Sequence, residues 1–180
     1  MLNRAIGSVM AQERPADAVS VAIDHKRAGS AWTRQRALQA VQTEWVAFLD
    51  DDDHFRPNHL AVLLDAADET GADYLFTWFQ MHDSAGNERD WDPLGHFGKT
   101  FDPENPTQTT ITTLVRTELA QTVGFCEPPV GKEIHGQRLG EDFEFTLGCI
   151  AAGGKVVHVP QRTWIWTHHG ANTSGQPDRW

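Results

Sequence analysis

Four consecutive aspartates, Asp50 to Asp53, stand directly behind the apolar run Trp45-Val46-Ala47-Phe48-Leu49. A short continuous run of aromatic and aliphatic residues predicts a strand buried on both faces, as in a parallel sheet covered by helices. Such a strand ending in carboxylates carries negative charge to the carboxyl edge of the sheet, where ligands bind in open α/β folds. Two readings follow. Crowded carboxylates repel one another and a divalent cation offsets the repulsion, which predicts a Mg²⁺ or Mn²⁺ site receiving a phosphorylated ligand. Alternatively, the block is an acidic turn whose side chains cap the next helix and favour its dipole.

The rest of the chain narrows the context. A length of 180 residues suits one domain, and a formal net charge of -10 argues against a broad basic surface for nucleic acid. A local pocket for a diphosphate is compatible with that charge. Cys126 and Cys149 lack metal-ligand spacing, so free thiols in a reducing compartment are expected. The sequence has neither an apolar stretch of membrane-spanning length nor a secretory signal, and a soluble cytoplasmic protein is the expectation.

Periodicity predicts helices over 2–12, 33–41, 58–69, 117–123 and 142–152, and strands over 19–23, 45–49, 74–81, 109–115, 156–159 and 163–167. Strands alternating with helices imply an α/β fold, a mostly parallel sheet flanked by helices, with a more mixed C-terminal half. Polar, Gly- and Pro-containing stretches at 82–105 and 127–138 read as loops that build a pocket over the sheet edge.

Several residues join the aspartates as candidates. The run Val19 to Ile23 ends at Asp24, which faces the same crevice if the two strands are parallel neighbours. An aspartate there accepts hydrogen bonds from a ribose hydroxyl or base N–H, or else caps a turn. Arg34, near the start of a predicted helix, suits a nucleotide phosphate or the acidic block, or is a surface arginine. Glu141-Asp142 opens another helix, either favouring its dipole or holding a general base at the pocket edge. His169, in the pair His168-His169 after the last strand, is a metal or phosphate ligand or a structural histidine.

Together these motifs resemble a GT-A glycosyltransferase of the family 2 type, from about Leu2 to about Ser174. The carriers are the helix Arg4 to Gln12, Asp24, the Gly-x-x-x-x-Arg segment Gly29 to Arg34, and Leu49-Asp50-Asp51-Asp52-Asp53. Further on come Leu114-Val115-Arg116, Val123-Gly124-Phe125, Glu141-Asp142 and the His-x-x-Asn-x-Ser pattern from His169 to Ser174. The resemblance implies one GT-A-like domain over 1–180, with a nucleotide-sugar and metal half over about 1–81 and an acceptor and catalytic half over about 82–180. It implies a UDP- or GDP-sugar held by Asp24, Arg34, Asp50 and Asp51, and Mn²⁺ or Mg²⁺ held by Asp52 and His169. Asp53 would support them, and Asp142 would be the base of an inverting transfer to a hydroxyl acceptor. Trp78, Trp91 and Trp164 would be candidates to stack on a sugar ring, with core packing as the competing role for Trp78 and Trp164. The family's opening strand, ending in Pro-Thr, has no counterpart before Leu2, which would leave a sheet edge open. That feature keeps a nucleotide-sugar-binding protein without turnover as one alternative. A metal-dependent nucleotidyltransferase is another, although no Gly-rich phosphate loop with a following Lys occurs.

Overall fold

The computed structural model describes residues 1–90, 101–102, 111–125, 133–134, 137–138, 140–170 and 172. Helices α1 (Leu2–Met10) and α2 (Ser30–Gln39) precede β1 (Trp45–Ala47) and β2 (His54–Phe55). Helix α3 (His59–Thr70) leads to β3 (Tyr74–Asp83) and β4 (Glu88–Arg89); β5 (Thr113–Arg116) runs straight into α4 (Thr117–Val123). A two-stranded pair, β6 (Glu133–Ile134) and β7 (Gln137–Arg138), comes before α5 (Glu141–Ala151) and the long final strand β8 (Val156–His168).

The main sheet has the order β1-β5-β3-β8-β2, with β4 paired to β3. The α/β class is as expected, but the pairing is more mixed than the continuous apolar runs suggested. Only β3 and β8 pair in parallel among the described strands, while β1/β5, β5/β3, β8/β2 and β3/β4 are antiparallel. The reason is that β5 and β2 are laid against strands running the other way. Consequently β1, β3 and β8 all point in one direction, and the ends of β1 and β8 emerge on the same side of the sheet.

Both faces of the sheet are covered, which is why its strands read as apolar without alternation. On one face α2, α4 and α5 enclose Leu38, Phe48, Tyr74, Phe76, Val115, Phe145 and Cys149. Phe48, Phe125 and Phe145 form the centre of that layer, with ring centroids 5.4, 5.6 and 4.4 Å apart. Helices α4 and α5 approach so closely that a Cβ added at Gly148 would lie 2.5 Å from Val123 Cγ1. On the other face α3 buries Leu63 and Ala67 against Leu75, Leu114 and Val159. Trp164, 2% exposed, packs with Phe79 and Phe55, so it belongs to the core and not to a sugar platform. Trp91 and Cys126 lie outside the described residues, as does most of the segment 127–138.

Two local departures from the sequence pattern have clear causes. The strands expected at 156–159 and 163–167 are one element, because β8 continues past Pro160 through an irregular register opposite Thr77–Phe79. Proline cannot donate to a ladder, and a bulge accommodates it without ending the strand. The strand expected over Val19 to Ile23 does not form: no described residue pairs with it, and Val19, Val21 and Ile23 remain 45%, 50% and 49% exposed. No helix of the described residues is long and apolar enough to cross a membrane.

Candidate active site

A groove of about 870 Å³ runs beside β1, the end strand of the main sheet. Its apolar part is lined by Leu2, Ile6 and Val9 of α1, Val19 to Ile23, and β1; its polar end is lined by Asp24, Arg34, Asp50, Asp51 and Asp52. All the residues assigned from sequence to the nucleotide therefore line one groove.

The aspartates there have sharply different surroundings. Asp24 accepts hydrogen bonds from the Ala28 and Gly29 amides, both at 2.8 Å. Those bonds hold its carboxyl below the ordinary aspartate range and fix the loop that enters α2, so the turn-capping role is realised. Asp50 receives a fork from Arg34, whose Nη2 lies 2.9 Å from each carboxylate oxygen. Asp51 is exposed at the rim. The Oδ2 of Asp52 is 3.0 Å from Nε2 of His169, and the Asp52 carbonyl accepts a 2.8 Å bond from Arg4. Asp53 is only 4% exposed, and its Oδ1 accepts the Thr167 amide at 2.8 Å. Burial dominates there and pushes the Asp53 carboxyl well above its usual range, against the opposing Thr167 bond.

These contacts explain how the turn after β1 comes to face the end of β8. Arg4 donates to both the Asp52 carbonyl and Thr167 Oγ1, each at 2.8 Å, and Asp53 fastens the Thr167 backbone. Beyond β8, Asn172 accepts the His169 amide at 2.7 Å and donates to the Thr167 carbonyl at 2.9 Å. The side chain of Asn172 thus braces the turn that presents the His169 imidazole to Asp52.

The second acidic pair begins α5. Glu141 accepts hydrogen bonds from Ser30 Oγ and Arg34 Nη1, both carried by α2. Burial alone would raise the Glu141 carboxyl, but Ser30 and Arg34 outweigh it and hold it low. Asp142 lies in the opposite situation. Burial, reinforced by the Glu141 charge, raises its carboxyl above the ordinary value, with Arg34 pulling the other way. Gly140 is part of this arrangement, since a Cβ there would fall 2.7 Å from Asp142 Oδ1.

Sequence reading took Asp50, Asp52, Asp142 and His169 as candidates, and the family resemblance assigned Arg34 to the nucleotide-sugar, with the acidic block and the surface as its other readings. The structure ties its guanidinium to Asp50 and Glu141. It left out Arg4 and Glu141 as organising residues. Arg4 carries no local signal, because its partners lie 48 and 163 residues away. Glu141 is signalled only by its place beside Asp142.

A sequence model described as Glycosyl transferase family 2 matches residues 4–124. That stretch contains the whole acidic turn and ends before Glu141, Asp142 and His169. No curated protein sequence matches the chain. Among solved structures, S. aureus TarS 1-349 superposes with a TM-score of 0.67 at 16% identity, covering 92% of this chain and 56% of that one. The same protein in complex with UDP-GlcNAc gives a TM-score of 0.67 at 17% identity, over 95% and 56% of the two chains. Its complex with UDP gives 0.67 at 18% identity, over 93% and 56%. These likenesses establish a shared GT-A-like fold, and this chain spans just over half the length of those structures.

Proposed function

The chain belongs to glycosyl transferase family 2, and on that premise we propose that it moves a sugar from a UDP-sugar to an acceptor hydroxyl with inversion at the anomeric carbon. The observation that carries the reading is the joining of two carboxylate sites by one arginine: Arg34 binds Asp50 in the donor groove and Glu141 beside Asp142. The groove would take the nucleotide, with Asp24, Asp50 and Asp51 along its polar end. UDP-GlcNAc, the ligand in the TarS complex, is the first donor to test, with a GDP-sugar as the second.

Asp142 would accept the proton of the acceptor hydroxyl as that oxygen attacks the anomeric carbon. The C–O bond to UDP breaks on the opposite face, and UDP leaves with the bonding pair. A raised proton affinity suits a carboxylate to this work, because it brings the base nearer the operating pH. Gly140 leaves room for the Asp142 side chain, and Glu141 holds the first turn of α5 against α2.

Asp52 and His169 fit a divalent cation. A carboxylate oxygen and an imidazole nitrogen already face each other at 3.0 Å on elements tied together by Arg4 and Asp53. Among the described residues no group of three or more ligating side chains could hold an ion unaided. Donor phosphates and water would therefore have to supply the remaining ligands of a Mg²⁺ or Mn²⁺ ion. When bound, such an ion supplies positive charge to the departing diphosphate.

The test is transfer and donor hydrolysis with UDP-GlcNAc and Mn²⁺, in the native chain and in Asp142→Asn. UDP release that requires an acceptor and collapses in the variant supports the reading. Near-normal transfer by Asp142→Asn removes Asp142 as base, and release of pyrophosphate instead of UDP replaces the activity with nucleotidyl transfer.

A further inference from the structure

We propose that Arg34 is a positioning residue that couples the donor turn to the proton-accepting helix, holding Asp50 and Glu141 on one guanidinium and thereby setting where the Asp142 carboxylate sits. This rests on Asp142 being the base.

The contacts are specific. One guanidinium nitrogen reaches both oxygens of Asp50 at 2.9 Å, and the other reaches Glu141. The arginine side chain is 16% exposed and Glu141 is 20% exposed, so the pair is largely withdrawn from water. Ser30, one turn before Arg34, also donates to Glu141, so α2 grips the start of α5 at two points. Arg34 is separated from Asp50 by 16 residues and from Glu141 by 107, and its side chain is what brings the two acids to one cation.

Charge gives this bridge a catalytic consequence. Asp142 is faced by Glu141 on its own helix, by Arg34 from α2, by Asp50 from the turn after β1, and by Tyr74 from β3. Of these, Arg34 is the cation, and it opposes the upward push that burial and Glu141 exert on Asp142. Removing it would leave Asp50, Glu141 and Asp142 as neighbouring carboxylates with no guanidinium between them. Mutual repulsion would then displace the first turn of α5 and tighten the proton on Asp142. A lysine cannot replace it, because an ammonium is a point charge without the planar fork that serves two carboxylates from separate nitrogens.

Arg34→Gln, Arg34→Lys, Glu141→Gln and the double variant Arg34→Gln/Glu141→Gln test the coupling. Transfer kcat, donor KM and the pH profile would be measured with UDP-GlcNAc, UDP affinity by calorimetry, and melting temperature for each protein. Arg34→Gln should lower kcat about 100-fold, the scale of a misplaced reacting group, a larger loss than any it causes in UDP affinity through Asp50 and the groove that Arg34 lines. Its acid limb should move to higher pH. Arg34→Lys should not recover kcat, whereas adding Glu141→Gln should recover about tenfold and move the limb back, since it removes one uncompensated charge. A fall in UDP affinity with kcat preserved would make Arg34 a direct nucleotide ligand and overturn the inference. Purely multiplicative losses in the double variant, or an unmoved acid limb, would also overturn it. Transfer that survives in Asp142→Asn fails the base reading itself; transfer that needs Asp142 but ignores Arg34→Gln fails this inference alone.

Discussion

The acidic turn after β1 and the acidic start of α5 both gather carboxylates at the end of an element, but they treat them differently. In the turn, Asp50 pairs with the Arg34 guanidinium, Asp52 with an imidazole and the buried Asp53 with a backbone amide. At α5, Glu141 shares that guanidinium and accepts the Ser30 hydroxyl, while Asp142 lies buried with the Phe143 amide on its Oδ1 and its neighbour's negative charge beside it. Each cluster thus holds one buried acid whose carboxyl burial raises, Asp53 in the turn and Asp142 at the helix start. The helix start is built to make one carboxylate want a proton. Two adjacent acids therefore stand in opposite conditions: Glu141 is held low by Ser30 and Arg34, and Asp142 is raised by burial and by Glu141.

The strongest way to break this comparison is Asp142→Asn. Loss of general-base catalysis is expected to lower transfer about 10²- to 10⁴-fold, measured with UDP-GlcNAc and acceptor. The same variant carries a stability signature. A carboxyl raised in the folded state binds its proton more tightly there than in the unfolded chain. Native stability therefore declines as pH rises from the unfolded value of 3.8 through the higher folded value, and stays diminished at neutral pH. Asp142→Asn should flatten that decline and raise the melting temperature at neutral pH. A melting temperature that falls instead would mean the charged carboxylate is favoured by its surroundings.

Asp52→Ala comes next. Manganese should tighten UDP binding in the native chain, and the variant should lose about 10- to 100-fold of that effect, the size seen when supporting groups of metal sites are removed. Equal UDP affinity with and without Mn²⁺ in both proteins would remove the metal role. Asp53 separates structure from chemistry within the same turn. Asp53→Ala leaves the Thr167 amide without its acceptor and should cost about 1–3 kcal/mol in chemical denaturation. Asp53→Asn keeps an acceptor and discards a buried charge, so it should be far milder. Asp51→Asn, at the exposed rim, should change stability by less than about 0.5 kcal/mol.

How much of this was written legibly in the chain differs between the two clusters. The acidic turn was visible because its signal is local: an apolar run stops and aspartates begin within one short segment. The helices were visible for the same reason, and α4 over Thr117–Val123 coincides with the expected element. Strand partners were not, because an apolar strand covered on both faces reads alike whether its neighbours run parallel or antiparallel. Val19 to Ile23 has a good strand composition yet pairs with no strand among the described residues, since composition cannot supply a neighbour. The division of labour between Glu141 and Asp142 was equally hidden. It depends on which carboxylate Arg34 and Ser30 reach, and α2 is more than a hundred residues from α5 in sequence.

The fastening of the turn to both ends of the described chain has a kinetic consequence. Arg4 reaches Thr167 across 163 residues, and His169 reaches Asp52 across 117. Contacts of such span carry their loop-closure entropy before they return any free energy, so topology places them late in folding. Helix α3 and the β3/β4 hairpin can form from neighbouring residues, whereas the Asp52–His169 pair requires β8 to have docked beside β3. In refolding followed by pulsed amide exchange, the Thr167 amide should gain protection after those of α3. The centre that would grip the donor's diphosphate then serves as a checkpoint: a chain that has not brought its ends together has no such centre at all.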